Sequence, residues 1–404
     1  AEAKTIYLQI VAGHMENFSP DLADMANNVI SAAIDLQIAV CDKFRPSTTK
    51  FMYTWNMRDL SSIARGLCFA NSEVFTTQIQ FSRLWMHEVR RTFSDRMVNA
   101  AEIDRFETVA ESYAKKYFSD FCNIEDDMIG EKKAPLIFTN FIRAPTGSLP
   151  YMCVPSMNKL SKTLTHKLEE YNEVNAAMNL VLFEQAMRHT CRISRILMSP
   201  GGHALLLGVG GSGKQSLTRL AAFISDFELA QYAISSKFTE QQLRESLQDT
   251  LTKAGVKNTP TVLMFTDAQI VDDHFLVYIN DLLATSWVTD LFADEDLDNL
   301  FSSLRSAAKI AGVPDTSTDM LNFLISRVRA NLRLVLCFSP NGDWLRLRAR
   351  RFPAIISSTT INQFHAWPRD ALVAVASIFL NDIDLNNDEL RENIAHWCSI
   401  YKGL

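Results

Sequence analysis

The stretch LLLGVGGSGKQSLTRL, residues 205–220, runs from three leucines through a glycine-rich loop into a segment with helical spacing. It fits the phosphate-loop pattern G-x-x-x-x-G-K-[ST] from Gly208 to Lys214, but Gln215 occupies the hydroxyl position and Ser216 follows one position late. Glycines let the backbone curl around phosphate, the helix start adds its positive dipole end, and the lysine adds a mobile charge. The alternative is a plain strand-to-helix turn, but the density of glycines before a lysine favours a phosphate-binding loop.

The composition is that of a packed protein without a strongly charged surface. The chain has 404 residues, of which 47% are hydrophobic and 21% charged, and its net charge is −6. This length predicts two or three domains. The negative net charge argues against a nucleic-acid groove or an anionic membrane surface, and no apolar run approaches the ~20 residues that a membrane helix needs. We therefore expect neither nucleic acid nor membrane as a partner.

The chain divides into three segments by its residue patterns. Residues 1–130 carry apolar residues at helical spacing almost throughout, which predicts a helical small subdomain with connecting helices. The prolines and short apolar runs of residues 134–156 mark a boundary with one strand at most. We predict that residues 131–370 form a large α/β subdomain and that residues 371–404 begin a second small helical subdomain.

Within the α/β segment, short apolar stretches alternate with helical ones. Short, continuously apolar strands separated by helices indicate a parallel sheet covered on both faces. Five strands are predicted, at residues 203–208, 229–235, 261–266, 332–339 and 353–361. Two helices are predicted ahead of the sheet, over residues 159–178 and 179–198. The predicted fold class is α/β, with a five-stranded parallel sheet preceded by an α-helical subdomain.

An acidic residue follows the third strand, where a phosphate loop needs its partner. Asp267 comes directly after the run TVLMFT and can hold Mg²⁺ directly or through water. Hydrolysing AAA+ proteins carry Asp-Glu here, and the glutamate polarises the attacking water, whereas this chain has Ala268. Asp272 and Asp273 lie about a turn further on and are interpreted as a helix cap. Because a general base contributes about 10²–10⁴-fold, we expect slow or absent hydrolysis.

Three more polar features bear on the site. Ser339 ends the fourth strand, between the sheet and the γ-phosphate, where AAA+ proteins often use asparagine as a sensor. The side-chain carbonyl of Gln215 is a longer and more flexible metal ligand than a hydroxyl. The arginine-rich run LRLRARRFP, residues 345–353, either reaches a neighbouring subunit's nucleotide or forms a structural basic face, and the sequence leaves both interpretations open.

These segments resemble the dynein heavy chain family, specifically its axonemal branch. Four blocks are similar, in order, to the fourth AAA+ module of the motor ring: GVGGSGKQSLTRLAAFI, TDAQIVDDHFLVYINDLLA, LCFSPNGDWLRLRARRFPAI and INQFHAWPRDAL. Upstream, the stretch KFMYTWNMRDLSSIARGL resembles the end of the third module. The stretch RLWMHEVRRTFSDRM resembles the segment that joins the two modules. The resemblance covers essentially the whole chain, and the text around TDAQ and FHAWP is most similar to outer-arm beta-type chains.

The resemblance implies a site for ATP or ADP with Mg²⁺. Its expected metal ligands are Gln215 and Asp267, and no catalytic residue is expected because Ala268 replaces glutamate. Arg58 falls on the third module's sensor-two arginine, whereas Ser357-Ser358 stand where cytoplasmic relatives place an arginine finger. Nucleotide-binding residues are expected at Leu180, Val181, Gly208, Val209, Gly210, Gly211, Ser212, Gly213, Lys214, Gln215, Ser216, Asp267 and Ser339.

The resemblance also implies a role within a larger motor. It implies a ring segment of a minus-end-directed microtubule motor that drives ciliary and flagellar beating, located in the cytoplasm and the axoneme. Expected partners are the other AAA+ modules of the same heavy chain, intermediate and light chains, and outer-arm docking proteins, with microtubules contacted by a stalk absent from this chain. The leading hypothesis is a regulatory site with little or no hydrolysis. The alternatives are a competent ATPase with an unrecognised base and a structural ring segment with an empty site.

Overall fold

The computed structural model describes residues 2–129, 134–143, 147–232, 239–270, 272–340, 342–381, 383, 393–394 and 396–397. Its helices are α1 (Glu2–Met15), α2 (Pro20–Ala23), α3 (Ala26–Lys43), α4 (Met57–Leu67), α5 (Gln78–Thr92), α6 (Ala100–Phe118), α7 (Met157–Val174), α8 (Glu184–Met198), α9 (Lys214–Ile224), α10 (Glu240–Gly255), α11 (Asp273–Thr285), α12 (Asp294–Ile310), α13 (Ser317–Asn331), α14 (Trp344–Arg351), α15 (Ala354–Ser357) and α16 (Arg369–Asn381). Its strands are β1 (Phe138–Thr139), β2 (Met152–Cys153), β3 (His203–Leu207), β4 (Glu228–Ala230), β5 (Thr261–Thr266), β6 (Leu332–Phe338) and β7 (Thr359–Gln363).

Helices α1 to α6 form the helical region that the periodicity predicts. Asn56 before α4 and Thr77 before α5 each complete a capping box, in which the cap side chain and a side chain in the first turn satisfy each other's backbone N–H groups. Helices α3 and α6 pack against each other, and Trp85, Phe93 and Phe106 are fully buried in this region. Large aromatic side chains bury much apolar area each, and here they pack among many buried aliphatic side chains.

Strands β3 to β7 form one parallel sheet in the order β4-β5-β6-β3-β7. Strands β3, β5 and β6 are buried along their whole length, as their continuous apolar runs predict. Strand β3 lies between β6 and β7, so the loop that follows it emerges between the carboxyl ends of its two neighbours. The predicted five-stranded parallel sheet with a helical subdomain before it is confirmed.

The helices ahead of and after the sheet differ from the prediction. The helix predicted over residues 179–198 begins only at Glu184, because Leu180 and Phe183 pack instead against the apolar cluster beside the sheet. The helix predicted over residues 159–178 ends at Val174. Helices α12 and α13 were not predicted and fill the interval between α11 and β6. Most of the predicted segment 371–404 beyond α16 lies outside the described residues.

Three strand predictions need correction. The strand predicted over residues 353–361 begins at Thr359, because residues 354–357 form the short helix α15. The second strand, predicted over residues 229–235, runs from Glu228 to Ala230. Residues 233–235 of that prediction lie outside the described residues. The boundary segment holds the antiparallel pair β1 and β2 rather than one strand at most.

The helical region joins the α/β region through buried polar groups as well as apolar contacts. Glu88 of α5 is fully buried, forms an ion pair with Arg195 of α8, and accepts a hydrogen bond from the Tyr151 hydroxyl at 2.8 Å. A side chain on Gly66 of α4 would collide with the Glu88 carboxylate, so only glycine allows this approach. Burial of a charge is tolerated when it is paired and hydrogen-bonded, which Glu88 satisfies. Among the described residues, no helix combines the length and the apolar character needed to cross a membrane.

Candidate functional site

The glycine-rich loop connects β3 to α9 at the carboxyl edge of the sheet. Gly211 and Gly213 adopt φ values of +74° and +86°, a left-handed region that is nearly free of strain only for glycine. Gly213 is the N-cap of α9, so the first N–H groups of that helix open toward the loop. Val209 and Gly210 are exposed at the loop's tip, and Ser212 is buried beneath it. Together these features form an anion-binding backbone turn at a helix start.

Gly208 is fixed by close packing rather than by backbone conformation. A Cβ added there would lie 2.7 Å from Phe364 Cβ and 3.0 Å from Ser212 Oγ. Its amide donates to the Phe338 carbonyl on β6 at 3.1 Å, while the Phe364 amide donates to the Leu207 carbonyl at 2.7 Å. The start of the loop is therefore held by both strands that flank β3.

Lys214 is the first residue of α9 and turns toward the loop. Its Nζ donates to the Gly208 carbonyl at 2.6 Å, the Val209 carbonyl at 2.7 Å and Ser212 Oγ at 3.2 Å. Burial lowers the pKa of this ammonium, and the charge of Asp267 acts in the opposite direction. The lysine thus lies at the centre of the loop, close to the acidic residue at the end of the third strand of the sheet.

Asp267 connects the ends of β5 and β6. Its Oδ2 accepts a hydrogen bond from the Ser339 amide at 3.1 Å, and its Oδ1 accepts one from the Ala268 amide at 3.0 Å. The structure therefore places Asp267 in direct contact with the backbone of Ser339, the expected sensor. Ala268 is exposed and has no side-chain acceptor.

The two acidic residues further along are engaged elsewhere. Asp272 Oδ1 accepts from the His274 amide at 3.1 Å, so its predicted role as a helix cap is confirmed. Asp273 pairs with Arg348 at 2.7 Å and with Arg351 at 2.9 Å. Both carboxylates therefore have partners at or near the start of α11. The same contacts give part of the arginine-rich run a structural role between α11 and α14.

The residues expected to hold Mg²⁺ suit a site that takes most of its ligands from phosphate. Mg²⁺ is commonly held by one or two carboxylates together with phosphate and water oxygens. Asp267 is partly exposed at the edge of the sheet, and among the described residues each of its oxygens accepts one hydrogen bond from a backbone amide, which leaves lone pairs for a metal. Gln215 is exposed on the first turn of α9. The described residues contain no group of three or more His, Cys, Asp or Glu side chains arranged to hold a metal by themselves.

A cavity of about 190 Å³ opens beside the loop, and we call it the base pocket. Leu180 and Val181, from the extended segment before α8, form part of its wall, as do Gly211, Gly213 and Ser216. The sequence-based site missed the aromatic and apolar residues of its other walls, although the block INQFHAWPRDAL contains three of them. These residues are Phe183, Phe364, His365, Trp367, Val375 and Phe379.

Two ring contacts shape the base pocket. His189 stacks on Phe364 with ring centroids 3.8 Å apart and planes 6° apart, and Phe183 meets Trp367 edge-on at 4.9 Å. Burial, followed by the charge of Arg192, holds the pKa of His189 well below its ordinary value, so this imidazole is neutral. A mostly apolar, aromatic pocket next to a phosphate-binding turn is suited to a flat nucleobase.

Arg58 lies apart from the base pocket, in a cleft of about 470 Å³ between the helical and α/β regions. Its Nη1 donates to the Ser357 carbonyl at 2.7 Å. The structure thus brings together two positions that the resemblance singles out, Arg58 at the expected sensor-two position and Ser357 at the expected arginine-finger position. The arginines of this cleft, which we call the arginine cleft, are Arg58, Arg65, Arg96, Arg195 and Arg329.

Comparison with known proteins agrees with this geometry. A family model described as "P-loop containing dynein motor region D4" matches residues 178–403, and one described as "AAA+ lid domain" matches residues 29–130. The chain is 44% identical to the "Dynein beta chain, ciliary" of Tripneustes gratilla, over 97% of this chain. It is 43% identical to the "Dynein beta chain, flagellar outer arm" of Chlamydomonas reinhardtii and 42% identical to "Dynein axonemal heavy chain 17" of Mus musculus, each over 97% of this chain.

The match covers nearly all of this chain but only a small part of each relative. The chain spans 9% of the length of each of these three dynein heavy chains. The resemblance to axonemal dynein heavy chains that the sequence blocks indicate is confirmed. With the family model covering more than half of its residues, the chain belongs to the family of P-loop-containing dynein motor region D4.

Proposed function

We propose that this chain is a regulatory nucleotide-binding segment of the motor ring of an axonemal dynein heavy chain, and that it binds ATP or ADP with little or no hydrolysis. One observation carries the proposal: a phosphate-binding turn opens beside an aromatic base pocket, while Ala268 follows Asp267 where hydrolysing AAA+ proteins carry glutamate. The site has the parts needed to hold a nucleotide and lacks the carboxylate that would activate water.

Binding rests on this chain's own groups. The loop's backbone N–H groups and the start of α9 receive the phosphates, and Lys214 Nζ exchanges its contacts with loop carbonyls for phosphate oxygens. The base lies against the His189–Phe364 stack. Asp267, with Gln215, would hold Mg²⁺, which supplies charge neutralisation for the phosphates. Ser339 lies beside Asp267 and is positioned to sense the phosphate end of the ligand.

Slow hydrolysis follows from the missing general base. Alanine cannot accept a proton from water, and Asp272 and Asp273 are occupied by a helix cap and by two arginines. A general base contributes about 10²–10⁴-fold to such reactions. Bound nucleotide would then act by stabilising one arrangement of the sheet and its neighbouring helices, which biases the ring's conformation.

The setting is inferred from the relatives. Their names place them in cilia and flagellar outer arms, and we propose the same location for this chain, in the cytoplasm and the axoneme. The partners we propose are the other AAA+ modules of one heavy chain, together with intermediate chains, light chains and docking proteins. Movement along microtubules would be the activity of the whole motor, to which this segment contributes regulation.

A binding and turnover experiment on the full chain tests the proposal. ATP affinity is measured by titration calorimetry with Mg²⁺, and labelled ATP is then followed in a single turnover with enzyme in excess. We expect ATP to bind and to remain uncleaved for many minutes, and Lys214→Ala to abolish binding. Cleavage within seconds would favour a competent ATPase, and absence of binding would favour a structural segment.

A second contribution is suggested by the arginine cleft. In the described part of the chain, no carboxylate lies within ion-pair distance of Arg58, Arg65 or Arg329, whereas Arg96 and Arg195 are paired with Asp59 and Glu88. The hydrogen bond from Arg58 to Ser357 joins the helical and α/β regions at this point. We propose that this cleft supplies positive charge to the nucleotide of the preceding module, in place of an arginine finger. In a heavy chain containing that module, Arg58→Ala should weaken nucleotide binding there and not at Lys214.

A further inference from the structure

Helix α8 links the base pocket to the helical region. His189 lines the pocket, and Arg192, three residues further on, lies on the same side of the helix. Arg192 Nε lies 3.2 Å from Asp95 Oδ1, in the short helical turn Ser94–Arg96 of the helical region. Arg192 Nη1 donates to Asn362 Oδ1 on β7 at 3.4 Å. A single guanidinium therefore contacts both the helical region and the edge strand of the sheet.

The contact on β7 lies directly behind the stacked wall of the pocket. Asn362 is 1% exposed, and the chain passes from it through the end of β7 into Phe364. Phe364 stacks on His189 of α8. Arg192 thus holds together the two elements, α8 and β7, whose rings must lie parallel for the base to find a flat surface.

Asp95 is the anchor of this arrangement. It is 6% exposed, and its Oδ1 also lies 3.1 Å from Arg91 Nη2 of α5. Burial lowers the pKa of Arg91 to about 10, and the charge of Asp95 opposes that effect. Without Asp95, the guanidinium groups of Arg91 and Arg192 would face each other with no shared carboxylate, and buried like charges repel strongly. Arg192 would then be expected to move away from Asn362.

We propose that Asp95 and Arg192 are positioning residues for the nucleobase, so that the helical region sets the shape of the base pocket in the neighbouring α/β region. The inference rests on the proposed function, because it concerns the same nucleotide site. Neither residue is among those that line the pocket, and they act through Asn362 and the His189–Phe364 stack. Nucleotide affinity then has two separable parts: a base part that depends on Asp95 and a phosphate part that depends on Lys214.

Two ligands separate these parts experimentally. The dissociation constants of ATP and of inorganic tripolyphosphate, both with Mg²⁺, are measured by calorimetry on the full chain. We expect Asp95→Asn to weaken ATP binding about tenfold and to change the dissociation constant of tripolyphosphate by less than about twofold. Lys214→Ala should abolish the binding of both ligands. Glu107→Gln is the matched control. It breaks an ion pair of 2.8 Å with Arg90, which lies next to Arg91 on α5, and this pair does not involve α8. This control should leave the dissociation constants of ATP and of tripolyphosphate unchanged.

A second variant covers the case in which Asp95→Asn does not fold. Asn362→Ala removes the contact of Arg192 with β7 but keeps the Arg192–Asp95 ion pair, and we expect the same selective loss of ATP affinity, about threefold to tenfold. Equal weakening of both ligands, or unchanged ATP affinity in a folded variant, would overturn the inference. Failure of the unmodified chain to bind ATP, or binding that survives Lys214→Ala, would instead overturn the proposed function and the inference with it.

Discussion

The base pocket and the arginine cleft lie near opposite ends of helix α8, and they differ in almost every chemical respect. The base pocket takes residues from the first turns of α8, is mostly apolar and aromatic, and adjoins a phosphate-binding turn. The cleft takes Arg195 and Ile196 from the last turn and is lined by five arginines with serines and threonines. We propose that the first holds a base and its phosphates. The second offers positive charge but neither the turn at the start of α9 nor the stacked rings, so we propose that it receives an anion carried by a neighbouring module.

The largest expected effect concerns the stability of the cleft side. Glu88→Gln leaves Arg195 without its buried ion pair and weakens the hydrogen bond from Tyr151, so we expect the free energy of unfolding to fall by about 3–5 kcal/mol. Asp315→Asn is the control, since its pair with Arg305 at 3.4 Å is well exposed and should contribute less than about 1 kcal/mol. Urea denaturation of both variants measures the difference. Similar stability of the two would contradict the buried-pair interpretation.

The next effect distinguishes the base pocket from the arginine cleft by ligand binding. Lys214→Ala should weaken ATP binding at least about a hundredfold, or about 2.7 kcal/mol, because it removes the cation at the centre of the loop. Arg58→Ala should leave ATP affinity of this chain unchanged, since Arg58 lies in the arginine cleft. Fluorescent ATP-analogue titration of both variants tests this. If Arg58→Ala weakened ATP binding as strongly, the base pocket and the arginine cleft would not be independent.

Two neighbouring glycines sharpen the description of the loop. Gly208→Ala should cost about 1–3 kcal/mol of stability and reduce ATP affinity, because the new methyl group would meet Phe364 and Ser212. Gly210→Ala is the matched control for the loss of stability, because a Cβ there has no protein neighbour within 4 Å and its φ is not positive. Thermal unfolding in the presence and absence of ATP distinguishes them. Comparable losses in both variants would show that flexibility, not close packing, governs the loop.

An effect that is small near neutral pH and grows in acid depends on the amino edge of β3. Burial, followed by the charges of Arg333 and Arg329, lowers the pKa of His203 to about 3, and its Nδ1 accepts a hydrogen bond from the Leu334 amide at 3.0 Å. The unfolded chain therefore binds more protons than the folded chain below about pH 6.5. Stability should fall as pH decreases from there toward 3, by up to about 1.4 kcal/mol per pH unit from this residue.

The matched variant for this pH effect is His203→Asn. It keeps a side-chain acceptor for the Leu334 amide but does not titrate. Denaturation at a series of pH values should show a shallower decline for the variant than for the unmodified chain. Identical slopes would mean that His203 does not contribute to the acid sensitivity of the fold.

The sequence predicted the parts of the site that are continuous in the chain. The loop from Gly208 to Lys214 and the position of Asp267 after its strand follow from short patterns, because parallel strands place their carboxyl ends at one edge. The extended segment at Leu180 was not predicted, since its apolar run continues the spacing of the helix that follows. The stack of His189 on Phe364 was not predicted either. It joins residues far apart in sequence, and no local pattern specifies such a contact.

The same limit applies to the contacts between regions. Arg58 was placed by resemblance, but its hydrogen bond to Ser357 depends on how α4 docks against α15. The ion pair of Asp95 with Arg192 likewise depends on how α8 packs against the helical region, whereas its pair with Arg91, four residues away, is local. Helices α12 and α13 carry no recognised motif. Local patterns therefore gave the phosphate side of the site, while the base side and the cleft required the tertiary structure.

The most direct test of the central claim follows the fate of ATP bound to this chain. Labelled ATP is mixed with excess protein and Mg²⁺, the reaction is quenched over seconds to hours, and the products are separated for the unmodified chain and for Ala268→Glu. We predict that ATP stays bound and intact in the unmodified chain, and that cleavage is faster by about tenfold or more in Ala268→Glu. Rapid cleavage of ATP by the unmodified chain, at a rate that Ala268→Glu does not change, would contradict this prediction.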